Sequence, residues 1–454
     1  MAKASRMKIF LMLAIALILM LSSACSSKSD GGNKEETTGA SEQPTQENKP
    51  TDEGKTSGEQ VKLLFAMSGE GPTYELYKKM IKAYEDKHPN VKIDTQVIAQ
   101  DYSTAILTRI AGGNAPDIFW ISNENIISYA GRSALLELNP YDGKYFKKED
   151  FMDNALDAYT YKDKIYGLPG DSAGNVLFYN KELFDKAKLP YPKADISWTE
   201  LQELAKQLTI KEGDKVSQYG YAMDIDWFYW QPFLSMAGGS ILDETGTKSV
   251  VNSPENTEAF EFLRNLMVKE QVAPTMSALK STPGYQLFQN GKAAMYFGGS
   301  WNASTAFRQE NLKWDVVRPP MYKNKGNVLG LGGFAVAGNT KHPDEASEFL
   351  SWFSGEEAQQ MKFEGGFAGS PTVKSLVDSP VSTKGFENPY DSTIHLSELG
   401  ESIKVAVTAP KSPYWAEISS EMAKQLELYW LNNQDIGTTL KKVDEKISAI
   451  LEGK

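Results

Sequence analysis

Cysteine is almost absent from this chain: there is one, Cys25, so no internal disulfide framework can exist. Histidine is nearly as scarce, and His88, His342 and His395 give no ligand spacing for a transition metal, so no metal or other cofactor is expected. Basic clusters are missing as well. With 48 Lys and Arg against 59 Asp and Glu, the formal net charge is -11, which argues against nucleic acid or an anionic lipid surface as the main partner. Apolar runs long enough to span a membrane are also lacking. The longest, Ile9 to Leu21, is about 13 residues, and at ~1.5 Å per helical residue it falls short of a ~30 Å hydrocarbon core. No P-loop, G-x-S-x-G elbow or H-E-x-x-H is present, and nothing repeats at a fixed short period. What remains is a composition of 41% hydrophobic and 24% charged residues over 454 positions, that of a soluble globular chain with two domains plus processed or flexible segments.

The ends of that short apolar run explain the cysteine. Lys3, Arg6 and Lys8 precede it, and Ser22, Ser23 and Ala24 follow it and lead to Cys25, the basic, apolar, small order of a secretory signal over residues 1–24. The cysteine after small residues resembles the bacterial lipobox, although Ser22 stands where the apolar residue is usual and Leu21 is displaced by one. That resemblance implies lipidation of Cys25 and anchoring without a spanning helix. Residues 25–60 are Ser, Thr, Glu, Gln, Lys, Gly and Pro with almost nothing apolar, too little to offset ordering entropy, and read as a tether.

Folding signals begin at Val61 to Met67, a strand-like run followed by a turn at Gly69 to Pro72 and by Leu76, Met80 and Tyr84 at helical spacing. Val91 to Val97 alternates at period two, and Pro116 to Ile121 is a third strand-like run. This alternation predicts an α/β fold with mainly parallel sheets flanked by helices and with ligand loops beyond the strand C-termini. Gly330 to Ala335 satisfies the loose G-x-G-x-x-A dinucleotide fingerprint, but it runs on through Val336 into Ala-Gly-Asn-Thr340 and opens no helix. It reads instead as a strand whose glycines admit a close neighbour.

Several stretches, in this order, are similar to the sugar-type bacterial extracellular solute-binding proteins, family 1, the cluster resembling maltose-binding protein. They are Gly112 to Trp120, Ile165 to Pro169 with Val176 to Lys181, Phe288 to Met295 with Gly299 to Trp301, and His342 to Leu350. The resemblance covers residue 61 to the C-terminus. It implies a two-lobed (type II) binding fold, with 61–170 plus 328–368 as lobe 1, 171–327 plus 369–454 as lobe 2, and a ligand groove at the hinge. Crossings are expected near Leu168 to Ser172, Lys323 to Val328 and Phe367 to Pro371, where Gly and Pro supply hinge backbone.

A sugar offers apolar C–H faces and a rim of hydroxyls, so its groove needs flat rings and carboxylates or amides. By the same resemblance Trp120, Asn123, Asp226, Trp227, Phe228, Trp301 and Trp415 are the expected ligand contacts, with Glu70 and Asp171 as further hydroxyl partners; the family's acid at the crossing would fall nearer Ala173. The function expected is capture of a sugar or oligosaccharide for an ABC importer, with membrane permease subunits as partner. No enzymatic activity is expected, and the alternative is a secreted carbohydrate-active hydrolase with two carboxylates across the cleft. The protein is expected to be a monomer, lipid-anchored on the extracellular face of a Gram-positive cell membrane.

Overall fold

A computed structural model describes residues 60–453 apart from 69–71, 99–101, 214, 304–306, 368, 385, 388–389 and 404–405. The signal segment, Cys25 and the tether lie outside the described residues. Among the described residues no helix is long and apolar enough to cross a membrane.

The strands are β1 (Val61–Ser68), β2 (Val91–Ile98), β3 (Ile118–Ser122), β4 (Thr160–Tyr161), β5 (Lys164–Ile165), β6 (Leu168–Ala173), β7 (Asn175–Asn180), β8 (Ile210–Glu212), β9 (Lys215–Met223), β10 (Ala293–Gly299), β11 (Trp314–Val317), β12 (Asn327–Val328), β13 (Gly330–Val336) and β14 (Ala406–Val407). Two five-stranded sheets organise them, in the orders β2-β1-β3-β13-β6 and β11-β7-β10-β9-β8. The βαβ reading of the N-terminal part holds: β1 pairs parallel with β2 and β3, with helices Pro72–Lys87 and Tyr102–Ala111 as the crossovers. The Gly-rich segment is indeed a strand, antiparallel to both β3 and β6.

Each sheet has its own core, because each buries apolar faces under helices. In lobe 1, Phe65 packs on Phe334, Phe349 and Phe353 at centroid distances of 5.4, 5.7 and 5.1 Å. The second sheet buries Leu177, Tyr221 and Phe297 under helices Trp198–Leu208, Trp227–Ala237, Pro254–Val268 and Trp415–Trp430. Helix Trp198–Leu208 begins at a full capping box, Ser197 with Glu200, which satisfies two of its free N–H groups.

The chain passes between lobes at Gly174, which separates β6 from β7, and again at Leu329, between β12 and β13. The third passage differs from the expected Phe367 to Pro371. Val373, Leu376 and Val381 still pack into the first core, whereas Phe386 and Leu399 belong to the second, so the passage falls between Val381 and Phe386. The cause is Gln359, a buried amide that accepts from the Thr372 and Val373 N–H groups and donates to Pro169 O and Thr372 Oγ1, stitching this segment to β6. Residues 369–381 therefore lie with lobe 1.

Candidate functional site

A groove of about 460 Å³ separates the lobes. Its lobe 1 wall comes from the C-terminal ends of β1 and β3, the start of helix Asn123–Gly131, the end of β6 and the glycine-rich start of β13. Its lobe 2 wall is aromatic: Trp227 and Phe228 open helix Trp227–Ala237, and Trp301 follows β10. Phe228 meets Trp301 with centroids 5.3 Å apart and Trp227 at 5.8 Å, so the three rings form one continuous surface.

Of the residues singled out by sequence, Trp120, Asn123, Asp171, Trp227, Phe228 and Trp301 all line this groove. Trp120 is half-buried in the middle of β3, its ring edge-on to Tyr102 at 5.6 Å. Asn123 is buried, and its Oδ1 accepts the Leu331 N–H at 3.0 Å, tying the groove floor to β13. Asp171, assigned to lobe 2 by the sequence boundary, sits in β6 of the first sheet. It is held by Lys362, whose Nζ donates to its Oδ2 at 2.5 Å.

Two expectations change, and one falls outside the described residues. Trp415 is only 1% exposed and belongs to the core of the second lobe, where its ring packs edge-on beneath Trp227 at 5.4 Å. It backs a groove ring and does not itself line the groove. Asp226 is likewise off the lining: it caps the helix that carries Trp227 and Phe228, accepting the Phe228 N–H at 2.9 Å. Glu70 is outside the described residues.

The groove is acidic. Although the surface of Asp226 is exposed, desolvation pushes its carboxyl up to about 6, with Asp224 and Glu124 adding like-charge repulsion and the Phe228 N–H opposing them. Glu124, on the opposite wall, is also raised by desolvation, against the hydrogen bond that Ser122 Oγ donates to it at 2.6 Å. Sequence reading missed Glu124, although it adjoins Asn123 at the start of the same helix, and it missed Tyr77 and Phe367, which line the lobe 1 wall. Among the described residues no group of three or more His, Cys, Asp or Glu side chains is placed to hold a metal.

A two-lobed fold around an aromatic and acidic groove suits reversible capture of a polyhydroxylated solute. Residues 68–360 match the family described as bacterial extracellular solute-binding protein. The chain belongs to that family. Among its relatives, a diacetylchitobiose-binding protein of Streptomyces coelicolor is 23% identical over 82% of this chain and 85% of its own length. The arabinooligosaccharide-binding protein of Bacillus subtilis is 25% identical over 63% and 68%. Among solved structures, an ABC substrate-binding protein of Listeria monocytogenes in complex with cycloalternan superposes with a TM-score of 0.80 at 27% identity, covering 87% of this chain and 99% of that one. As a family member, this chain is a two-lobed solute-binding protein of the extracytoplasmic type.

Proposed function

We propose that this protein captures a sugar or short oligosaccharide between its lobes and presents it to the permease subunits of an ABC importer. The carrying observation is the unbroken aromatic wall of Trp227, Phe228 and Trp301 facing Trp120 and the Asp171 carboxylate. Rings cover sugar C–H faces, and carboxylate oxygens accept from hydroxyls in a desolvated cleft. The ligands named for the relatives, an arabinooligosaccharide, diacetylchitobiose and cycloalternan, support the same class, and the number of rings favours more than one sugar unit. In this reading Cys25 carries the lipid, residues 25–60 hold a monomeric binding unit off the outer face of a Gram-positive membrane, and no bond in the ligand is broken.

A thermal-shift screen of residues 60–454 against mono- and oligosaccharides, with chromatography of each mixture, tests it. A ligand bound only by the folded form raises the melting temperature, by about 2.7 kcal/mol of added stability at a hundredfold excess over Kd. Stabilisation by one glycan class with no cleavage products is expected; cleavage of any glycan would contradict the transport reading.

A further inference from the structure

Behind the lobe 1 wall lies an ammonium that no sequence argument singled out. Lys362, on helix Glu356–Glu364, is 2% exposed and does not itself line the groove. Burial would pull its pKa down, but the Asp171 carboxylate and Tyr77 outweigh that and hold it above the ordinary lysine value, so it is charged. Its Nζ donates to Asp171 Oδ2 at 2.5 Å, lies 4.0 Å from the centroid of Phe367, and 5.5 Å from that of Tyr77. All three of those side chains line the groove. An enclosed ion pair roughly breaks even against apolar packing as a source of stability, so stability alone does not account for a lysine here. What the pair does is orient: Oδ2 is taken by the ammonium, and the carboxylate is set against Gly332, where a Cβ would come within 2.8 Å of Oδ1.

We propose that Lys362 is a positioning residue for ligand capture, fixing the Asp171 carboxylate and the Phe367 and Tyr77 rings in the geometry that receives a sugar hydroxyl and the face beside it. The inference rests on the carbohydrate reading for its ligand, and on the ion pair and ring contacts for its geometry. The lysine acts on the ligand only through the three side chains it holds.

The test titrates cycloalternan and maltotriose, as probes, into wild type, Lys362→Met, Asp171→Asn and the double variant, with urea unfolding of each. Lys362→Met is expected to fold cooperatively and bind at least about tenfold more weakly, with the double variant no worse than the weaker single one because the two residues act as a unit. Unchanged affinity in Lys362→Met with only a lowered unfolding midpoint would overturn the proposal, as would strictly additive losses. Should Lys362→Met not fold, Lys362→Gln carries the same measurement. A crystal structure of the sugar-free variant separates this inference from the reading beneath it. Asp171 or Phe367 is expected to leave its wild-type rotamer, and unchanged rotamers at both would overturn the positioning role. If wild type bound neither these probes nor any glycan of the wider screen while those rotamers moved, the carbohydrate reading would fall and the positioning would stand.

Discussion

The Asp226 carboxylate couples the groove to pH. Its ordinary value is 3.8 and its value in the folded protein about 6, so between those two pH values the folded chain holds a proton that the unfolded chain has released. The sign follows from linkage: this group's contribution to stability grows as pH falls through 6 and is lost again as pH rises through it. Its effect on capture has the opposite sign and is indirect, because a protonated carboxyl is a weaker acceptor for the Phe228 N–H and so holds the helix start that presents Trp227 and Phe228 less firmly. Affinity for a bound glycan is therefore expected to decline between pH 7 and 5, and Asp226→Asn to flatten that decline. Calorimetric titrations across this pH range check it; a flat profile in wild type would contradict it. The same residue marks how far sequence goes at this scale. Asp226, Trp227 and Phe228 were legible as an acid beside clustered rings, but which of them meets the groove depends on helix phase. Trp415 looked equivalent to Trp301 because chain order says nothing about which ring is covered by the second lobe's own core and which is left at its edge. Lys362 was invisible for a related reason: nothing local sets it apart from any other lysine on a helix, and its partner lies 191 residues away in sequence.

Among the elements, β13 carries most of the groove's constraints. It is the one strand in the first sheet that returns from beyond the second lobe, and its glycines leave room for neighbours on both walls: a Cβ at Gly330 would meet the Phe228 ring at 3.0 Å, and one at Gly332 the Asp171 carboxylate at 2.8 Å. Gly332→Ala forces the carboxylate away from its place beside Lys362. We expect a loss of glycan affinity of about tenfold, or about 1.4 kcal/mol, with a smaller loss of stability, read from calorimetry and urea unfolding together. A variant that binds as tightly as wild type would show that Asp171 is not a contact. This strand was legible in the sequence because the fingerprint it mimics must open a helix and here does not. The third passage between lobes was misplaced for a physical reason too. Gly365, Gly366, Gly369 and Pro371 have the composition of a hinge, but the Gln359 amide fastens the segment immediately following them to β6.

For the whole molecule, the crossings converge on one buried side chain. Asn327 Oδ1 accepts the Asn175 and Val328 N–H groups at 3.0 and 2.9 Å, and its Nδ2 donates to Asn175 O and Ser402 O, each at 2.9 Å. It thus links the backbone on the lobe 2 side of the first passage to the second passage and to the segment before β14, which pairs with β12 beside it. Asn327→Ala strands several buried backbone groups and is expected to cost roughly 2–4 kcal/mol in urea unfolding; an unchanged midpoint would mean the crossings are held elsewhere. The two-lobe architecture was legible only through the family resemblance carried by the order of segments along the chain; the strand–helix alternation by itself pointed no further than an α/β fold. The measurement that bears most directly on the central claim is calorimetric titration of the best-stabilising oligosaccharide into wild type and Trp301→Ala. Micromolar or tighter one-to-one binding by wild type, weakened at least about tenfold when the ring is removed, is the expected result. Equal binding by both proteins, or none by wild type to any glycan, would contradict capture against the aromatic wall of the groove.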